Sequence, residues 1–560
     1  MRLRPPIAIP YPHYMAFAPL DAWLRVILSP PAWVPVRYWA RLAFGLFTSC
    51  IGTVLTLPER LVLAPVLRMA GRRSGLRLDH APGAIVILGY FRSGTTHLHY
   101  LMSCDPRVRT PTWCEVLAPQ GFALSWSFLR LFMIPFLSAK RPQDDVAIGP
   151  DWPAEDDFAT GNWVGASSLP GRFVIPRLHA HYDRFHSLTG LNERERRRWR
   201  RAQWAFLWKL ARLAPGRAIL LKSPSHTGRV RELADLFGGN VKFVHISREP
   251  GAVLRSNVAM ARRLSVFNLQ DPLPGDDIES RLAREYLETE RTFLAEAAAI
   301  PPGRLAHIRY EDLVADPLGE LRRVYQELGL EWSPELERRA GTYLLSVRDY
   351  RAATKPEAVP AATMSPAAPP AAALAQLARA FGHDRPPRPK APLPLGLEDH
   401  HRSRAGPAML AAAVVATLAS ILWIAQASWF RDRNDWLVWP LGILVGLTAL
   451  RVARVGSPRL GAWAAGLTLL AFFAISIPAT YYADYAFRTS PPFPVDYRDL
   501  PMRDWEWYHI LKASGVPMDG LRHWNRVGSL ATNNLFWLFM GVVTAYRFAS
   551  REFVHPPGRG

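Results

Sequence analysis

The chain has 560 residues, room for roughly four domains at about 150 residues each. Its 49% hydrophobic, 11% aromatic and 21% charged composition excludes both a small disulfide scaffold and wholesale disorder. The 68 Lys and Arg against 47 Asp and Glu leave +21, a balance that suits nucleic acid, an anionic membrane surface or an anionic small ligand.

Cys50, Cys104 and Cys114 have no CxxC spacing and no nearby His pair, so neither a disulfide framework nor a metal site is expected. The catalytic part reads as reduced and cytosol-facing. No zinc finger, RNA-binding aromatic signature or Lys-rich tail occurs, and the most basic run, 194–201, is interrupted by Glu195 and Trp199. It reads as a solvated helix face, and nucleic acid is not expected as a partner.

In chain order, residues 1–80 read as membrane-associated helices. The first 35 residues are rich in Pro and aromatic side chains and lack a small-residue cleavage site, which argues against a secretory leader. An uncharged run at 42–58 sits at the short limit of the roughly 17 to 25 residues a spanning helix needs. Because 61–69 continues apolar after Pro58-Glu59-Arg60, a hairpin or a monotopic helix in the headgroup region is favoured slightly over a span.

Residues 81–351 alternate short apolar runs, at 84–88, 218–221, 241–246 and 305–308, with amphipathic stretches. This pattern predicts an α/β domain, a P-loop-like doubly wound parallel sheet covered by helices on both faces. Residues 352–405 are loaded with Pro and Ala and read as a linker with one short helix near 371–381. Residues 406–560 carry uncharged runs at 406–430, 436–450, 460–483 and 527–546, a membrane domain of about four transmembrane helices. Three runs are long enough to cross a bilayer; the second is short and contains Pro440. Lys and Arg cluster before the first run, after the second and after the fourth, which puts the catalytic domain on the cytoplasmic side.

The sharpest motif is Gly89-Tyr-Phe-Arg92-Ser93-Gly94-Thr95-Thr96-His97, a strand running through a Gly turn into a helix. Such a turn aims backbone N–H groups, backed by the helix dipole, at an anion. Gly89 and Gly94 keep the G-x4-G spacing of a nucleotide loop, but Thr95 stands where a triphosphatase needs Lys, and Arg92 supplies the cation. Magnesium-dependent phosphoryl transfer is thereby disfavoured. A second element, the strand 241–247, ends in Arg248, and Ser256 follows two turns into the next helix. Lys222 ends the strand between them, at the carboxyl edge of the sheet where open α/β proteins bind ligands.

These residues resemble the sulfotransferase superfamily, in particular its bacterial branch related to tyrosylprotein and carbohydrate sulfotransferases, over about residues 84–330. The resemblance implies that Arg92, Ser93, Gly94, Thr95, Thr96 and His97 hold the 5′-phosphosulfate of 3′-phosphoadenylyl sulfate (PAPS). Arg248 and Ser256 would hold its 3′-phosphate. Lys222-Ser-Pro224, Arg141-Pro-Gln-Asp-Asp145 leading to Glu155-Asp-Asp-Phe158, and Tyr310-Glu-Asp-Leu313 followed by Pro317 are further similar features. The family's late Arg-Lys-Gly loop is absent; residues 347–351 and Lys355 fall near its place. The expected activity is sulfuryl transfer to a hydroxyl acceptor, lipid or another hydrophobic alcohol, without a metal. Arg92 and Lys222 would carry the fixed charge and Glu115 would be the base, with Glu155, Asp156 and His226 as rivals and a structural ion pair as the competing role for Glu115. The apolar stretch 121–137 is a candidate passage for a lipid. A P-loop kinase or hydrolase, and a non-catalytic nucleotide sensor in the membrane, are the alternative functions. Oligomeric state is not legible.

Overall fold

Four of the apolar runs and one two-residue segment pair as parallel strands: β1 (Ala84–Leu88), β2 (Val108–Arg109), β3 (Ala218–Lys222), β4 (Val241–Ser247) and β5 (Leu305–Arg309), ordered β2-β3-β1-β4-β5. The computed structural model describes residues 14–29, 33–78, 82–125, 129, 133, 137, 141, 143–144, 146, 148–273, 277–347, 371–391, 405–430, 437–453, 457–489 and 533–550. Ala84 of β1 sits opposite Ile219 on one side and Val241 on the other. Every residue of β1 is buried, as a central strand covered on both faces must be. Val86 and Leu88 join Leu221 and Phe243 in one core, while Ile85 and Ile87 join Leu220 and Val244 in the other, the two-residue alternation of a pleated strand. β1 is where successive connections leave the sheet on opposite sides. The loop after it therefore opens at the switch point, and the ends of β3, β4 and β5 bring Lys222, Arg248 and Tyr310 to the same edge.

The α/β unit extends beyond 81–351 at both ends. One compact unit takes in Met1–Leu397 and a second takes in Glu398–Phe553. Met15, Phe17 and Trp23 are buried in the α/β core. Of the hairpin and the monotopic helix expected around the Pro58-Glu59-Arg60 break, the hairpin is not formed: Trp39–Ser74 is one 36-residue helix running through Pro58 and Pro65. The two prolines are seven residues apart and both exposed, so the lost N–H groups and displaced carbonyls lie on the outer side, away from the packing. On the inner side, a Cβ on Gly52 would fall 2.3 Å from the Phe17 carbonyl oxygen. The Glu59 carboxylate, fully buried, accepts from Lys209 Nζ at 2.5 Å and from the N–H groups of Ala123, Leu124 and Ser125. A buried charge is tolerable only when paired and hydrogen-bonded in this way.

The helix expected near 371–381 is present as Ala371–Ala380, but it does not belong to a free linker. Leu377 and Phe381 enter the α/β core. Arg309 at the end of β5 donates to the carbonyls of Gly382, Arg385 and Pro386 at 2.6, 2.9 and 3.0 Å.

In the second unit the helices Ala405–Phe430, Val438–Ala453, Pro458–Thr489 and Asn533–Ala549 lie at the four uncharged runs. Ala408, Ala412 and Ala416 face its core, and a Cβ on Gly442 would fall 2.1 Å from the Gly541 carbonyl oxygen. Leu410, Val414 and Leu418 are exposed. Small residues at the helix contacts with large aliphatics outside is the packing used in lipid. Among the described residues, Val36–Ser74 and Ala405–Ala425 are long and apolar enough to cross a bilayer, while Val438–Ala453 and Arg459–Ala474 are shorter apolar helices.

Candidate active site

The loop after β1 is built for close backbone approach. Gly89 has φ +143° and a Cβ there would fall 2.4 Å from the Ile246 carbonyl oxygen. Gly94, at φ +94°, caps the helix Thr95–Met102, and a Cβ on it would fall 2.3 Å from the Tyr310 ring. A side chain at either position meets both strain and a clash. Between the glycines Arg92 itself adopts φ +70°, an uncommon state for a non-glycine residue. The first-turn N–H groups of Thr95 and Thr96 have no carbonyl of their own helix to meet, and the Ser93 hydroxyl is buried without a hydrogen-bond partner. Donors held open in this way fit an anionic group.

Cations converge on the same loop. Arg92 Nε donates to Ser256 Oγ at 2.9 Å and Arg92 Nη1 pairs with Asp144 Oδ2 at 2.5 Å. Arg141 shares Asp144 at 2.6 Å and donates to Thr96 Oγ1 at 3.2 Å. Burial opposes ionisation of Asp144, but Arg141 and Arg92 hold its carboxyl below the usual range. Arg248 donates to the Arg92 carbonyl at 3.3 Å and lies over the Tyr310 ring at 4.6 Å. Tyr310 thus touches both halves of the site: its ring closes over Gly94 and supports Arg248.

These groups line one cavity of about 280 Å³. Arg92, Gly94, Thr95, Thr96, His97, Arg141, Arg248 and Tyr310 form its polar end. The other end is apolar, with Phe17, Phe91, Trp113, Phe158, Phe173 and Phe267 among its walls. His97 hydrogen-bonds Tyr343 at 3.2 Å, and burial pushes its pKa down to about 4.

The sequence candidates for the base separate cleanly. Glu155 lines the cavity and its carboxylate meets Lys222 Nζ, which also reaches Thr96 Oγ1 at 3.3 Å. Lys222 is 2% exposed and stands one contact behind the cavity wall. Burial lowers its pKa from the ordinary amine value, and the Glu155 carboxylate opposes that shift. Glu115 is 3% exposed and absent from the cavity lining; it accepts the Thr112 N–H at 2.8 Å and pairs with Arg109. It closes the first turn of the helix Trp113–Leu117, the competing structural role. Asp156 and His226 form a fully buried pair at 2.8 Å, joined by Gln203 and Ser223. Burial alone would raise the Asp156 carboxyl, but His226 and those hydrogen bonds hold it well below the usual range. Neither lines the cavity. Ser256, expected beside Arg248 on a phosphate, accepts a hydrogen bond from Arg92 Nε.

The model of the Sulfotransferase family matches residues 82–334. The omega-hydroxy-beta-dihydromenaquinone-9 sulfotransferase Stf3 of Mycobacterium tuberculosis is 30% identical over 336 residues, which cover 59% of this chain and 82% of that protein. The chain belongs to the sulfotransferase family. Carbohydrate sulfotransferase 6 of Homo sapiens is 35% identical over 108 residues, 18% of this chain and 27% of that protein. The crystal structure of sulfotransferase STF9 from Mycobacterium avium has a TM-score of 0.45 at 17% identity, covering 67% of this chain and 98% of that one.

Within this sulfotransferase, Arg141 and Asp144 hold the loop more directly than the sequence spacing indicates. Residues 348–355, where the missing loop was expected, lie outside the described residues, as does most of 121–137; Leu137 of that stretch lines the cavity. Among the described residues, no cluster of His, Cys, Asp or Glu suits a metal ion.

Proposed function

We propose that the chain transfers the sulfuryl group of PAPS to the hydroxyl of a lipophilic alcohol. The observation that carries this reading is the single cavity joining the Gly94 loop to Arg248 through Tyr310. A bisphosphate nucleotide has two anionic ends, and this cavity offers a cationic grip for each, while its apolar end suits a hydrocarbon acceptor. The relative from Mycobacterium tuberculosis, named for a hydroxylated menaquinone, supports the acceptor class. Residues 406–560 act as a membrane domain, and the Lys and Arg clusters beside its helices keep the catalytic unit on the cytoplasmic side.

In this mechanism the acceptor oxygen forms a bond to sulfur as the bond from sulfur to the 5′-phosphate oxygen breaks, and the hydroxyl proton passes to Glu155. Arg92, Arg141 and the N–H groups of Thr95 and Thr96 stabilise the charge that grows on the phosphate. Arg248 grips the 3′-phosphate, and Ser256 positions Arg92. Lys222, in contact with both Glu155 and Thr96, fixes the base relative to the loop, so that attack and departure are held in line.

Calorimetry with adenosine 3′,5′-bisphosphate and with ATP, followed by transfer from sulfur-labelled PAPS into a lipid extract, tests the reading. Binding of the bisphosphate with label in the organic phase is expected. Preference for ATP sinks the donor assignment, and label confined to water-soluble products sinks the lipid acceptor. In the same assay Glu115→Gln is expected to keep near-normal transfer while losing about 1–3 kcal/mol of stability, because Arg109 keeps only a neutral partner. A collapsed rate in a folded Glu115→Gln protein would return the base role to Glu115.

A further inference from the structure

The helix Trp39–Ser74 is packed the wrong way round for a protein surrounded by water. Phe47, Val54, Leu57, Leu61, Val62 and Met69 are all exposed, and at 100° per residue they fall on one side of the helix. After this helix, the exposed large hydrophobics among the described residues of the catalytic unit are scattered singly, as at Leu213, Leu273 and Leu294, while Leu24, Leu28, Trp33, Val36 and Trp39 are exposed just before it and at its start. A contiguous apolar face of this kind marks an interaction surface.

The opposite side is occupied along nearly its whole length. Gly45 meets Trp23, Gly52 meets Phe17, Glu59 meets Lys209 and Gly71 meets Trp204. From residue 45 to residue 71 is roughly 39 Å at 1.5 Å per residue, more than the approximately 30 Å of hydrocarbon in a bilayer. The helix cannot thread a membrane while that length is laid against a unit containing buried ion pairs.

Its charges point the same way. Arg68, Arg72 and Arg73 are exposed in its last two turns. Its only acid, Glu59, is buried, and nearby Asp21 is already tied to Arg25 and Arg60.

We infer that this face docks the catalytic unit on an anionic bilayer, with the helix lying in the headgroup region parallel to the surface and its arginines on the lipid phosphates. The inference deepens the lipid-acceptor reading and rests on it for its purpose. The Phe17 backbone packs against Gly52 on the inner side of this helix, and Phe17 also lines the apolar end of the cavity, so the docked helix is one residue away from the space assigned to the acceptor.

The native thiols supply the probe: Cys50 is exposed on this face, whereas Cys104 and Cys114 are buried. The full chain is reconstituted in phosphatidylcholine–phosphatidylglycerol vesicles and labelled at Cys50 with an environment-sensitive fluorophore. Val54→Cys, Leu61→Cys and Met69→Cys follow in a Cys50→Ser background. Depth is read with phosphatidylcholines brominated at graded positions. All four sites are expected at one shallow depth. A depth that sweeps roughly 28 Å between residues 50 and 69 would mean a spanning helix, and iodide quenching at all four sites would mean a face left in water. Either result overturns the inference.

A double variant, Val54→Glu with Leu61→Glu, separates docking from chemistry. Its rate on a bilayer-held alcohol is expected to fall by about tenfold or more, with its rate on a short soluble alcohol unchanged. Shallow depths in a chain that sulfates only soluble alcohols would keep the docking and discard the lipid acceptor. An unchanged rate on the bilayer-held alcohol would overturn the role of docking in acceptor delivery.

Discussion

Glu155→Gln is expected to lower turnover by about 10² to 10⁴ while leaving bisphosphate binding intact, the range typical for removal of a general base. Of the base candidates Glu115, Glu155, Asp156 and His226, Glu155 alone lines the cavity, and it is one lysine away from Thr96 at the start of the loop helix. The amide keeps the size of the side chain and a hydrogen bond to neighbouring donors but takes up no proton. The measurement is single-turnover transfer from labelled PAPS, alongside calorimetry with the bisphosphate. A variant with the wild-type rate would remove Glu155 from the chemistry, and one that no longer binds nucleotide would mean that Glu155 shapes the loop.

The second large effect is expected from Lys222→Ala. Removing one pre-aligned charge typically costs about 10² to 10³ in turnover, roughly 2.7 to 4 kcal/mol. Lys222 does not itself line the cavity, so its loss should act on kcat through the two groups it holds and leave the affinity for the bisphosphate within a few-fold of normal. Deleting one member of a buried ion pair also threatens folding, by about 3 to 5 kcal/mol. Lys222→Arg is the control, since it keeps a cation between Thr96 and Glu155 and should recover part of the rate. Wild-type turnover in a folded Lys222→Ala protein would remove the lysine from the mechanism.

Much of the sheet was legible because buried parallel strands write themselves as unbroken apolar runs. The expected runs 84–88, 218–221, 241–246 and 305–308 become Ala84–Leu88, Ala218–Lys222, Val241–Ser247 and Leu305–Arg309. Val108–Arg109 was not legible, since two residues show no period. The anion loop could be read because Gly89 and Gly94 do what only glycine does easily, and the structure gives both a positive φ. The choice between Glu115 and Glu155 was harder, as it depends on contacts across the chain: Lys222 selects Glu155 from 67 residues away. One local signal did exist. Thr112 followed three residues later by Glu115 is the spacing of a helix-capping box, and the Glu115 carboxylate does close on the Thr112 N–H. The continuous helix Trp39–Ser74 was hidden for the opposite reason. Proline is a strong local stop, and it is contacts with distant segments, such as those of Gly52 and Glu59, that hold the helix across it.

The grip of Arg309 on residues 382–386 changes where this protein can be cut. A fragment ended at residue 351 would take Leu377 and Phe381 out of the core and leave Arg309 and Asp312 facing carbonyls and an amide that are no longer there. A fragment ended just past Ala391 retains that clasp, including the Ala391 N–H on the Ala315 carbonyl. The Pro- and Ala-rich composition that begins at residue 352 therefore does not mark the end of the first unit, because residues 382–391 stay fastened to the end of β5 and the helix after it.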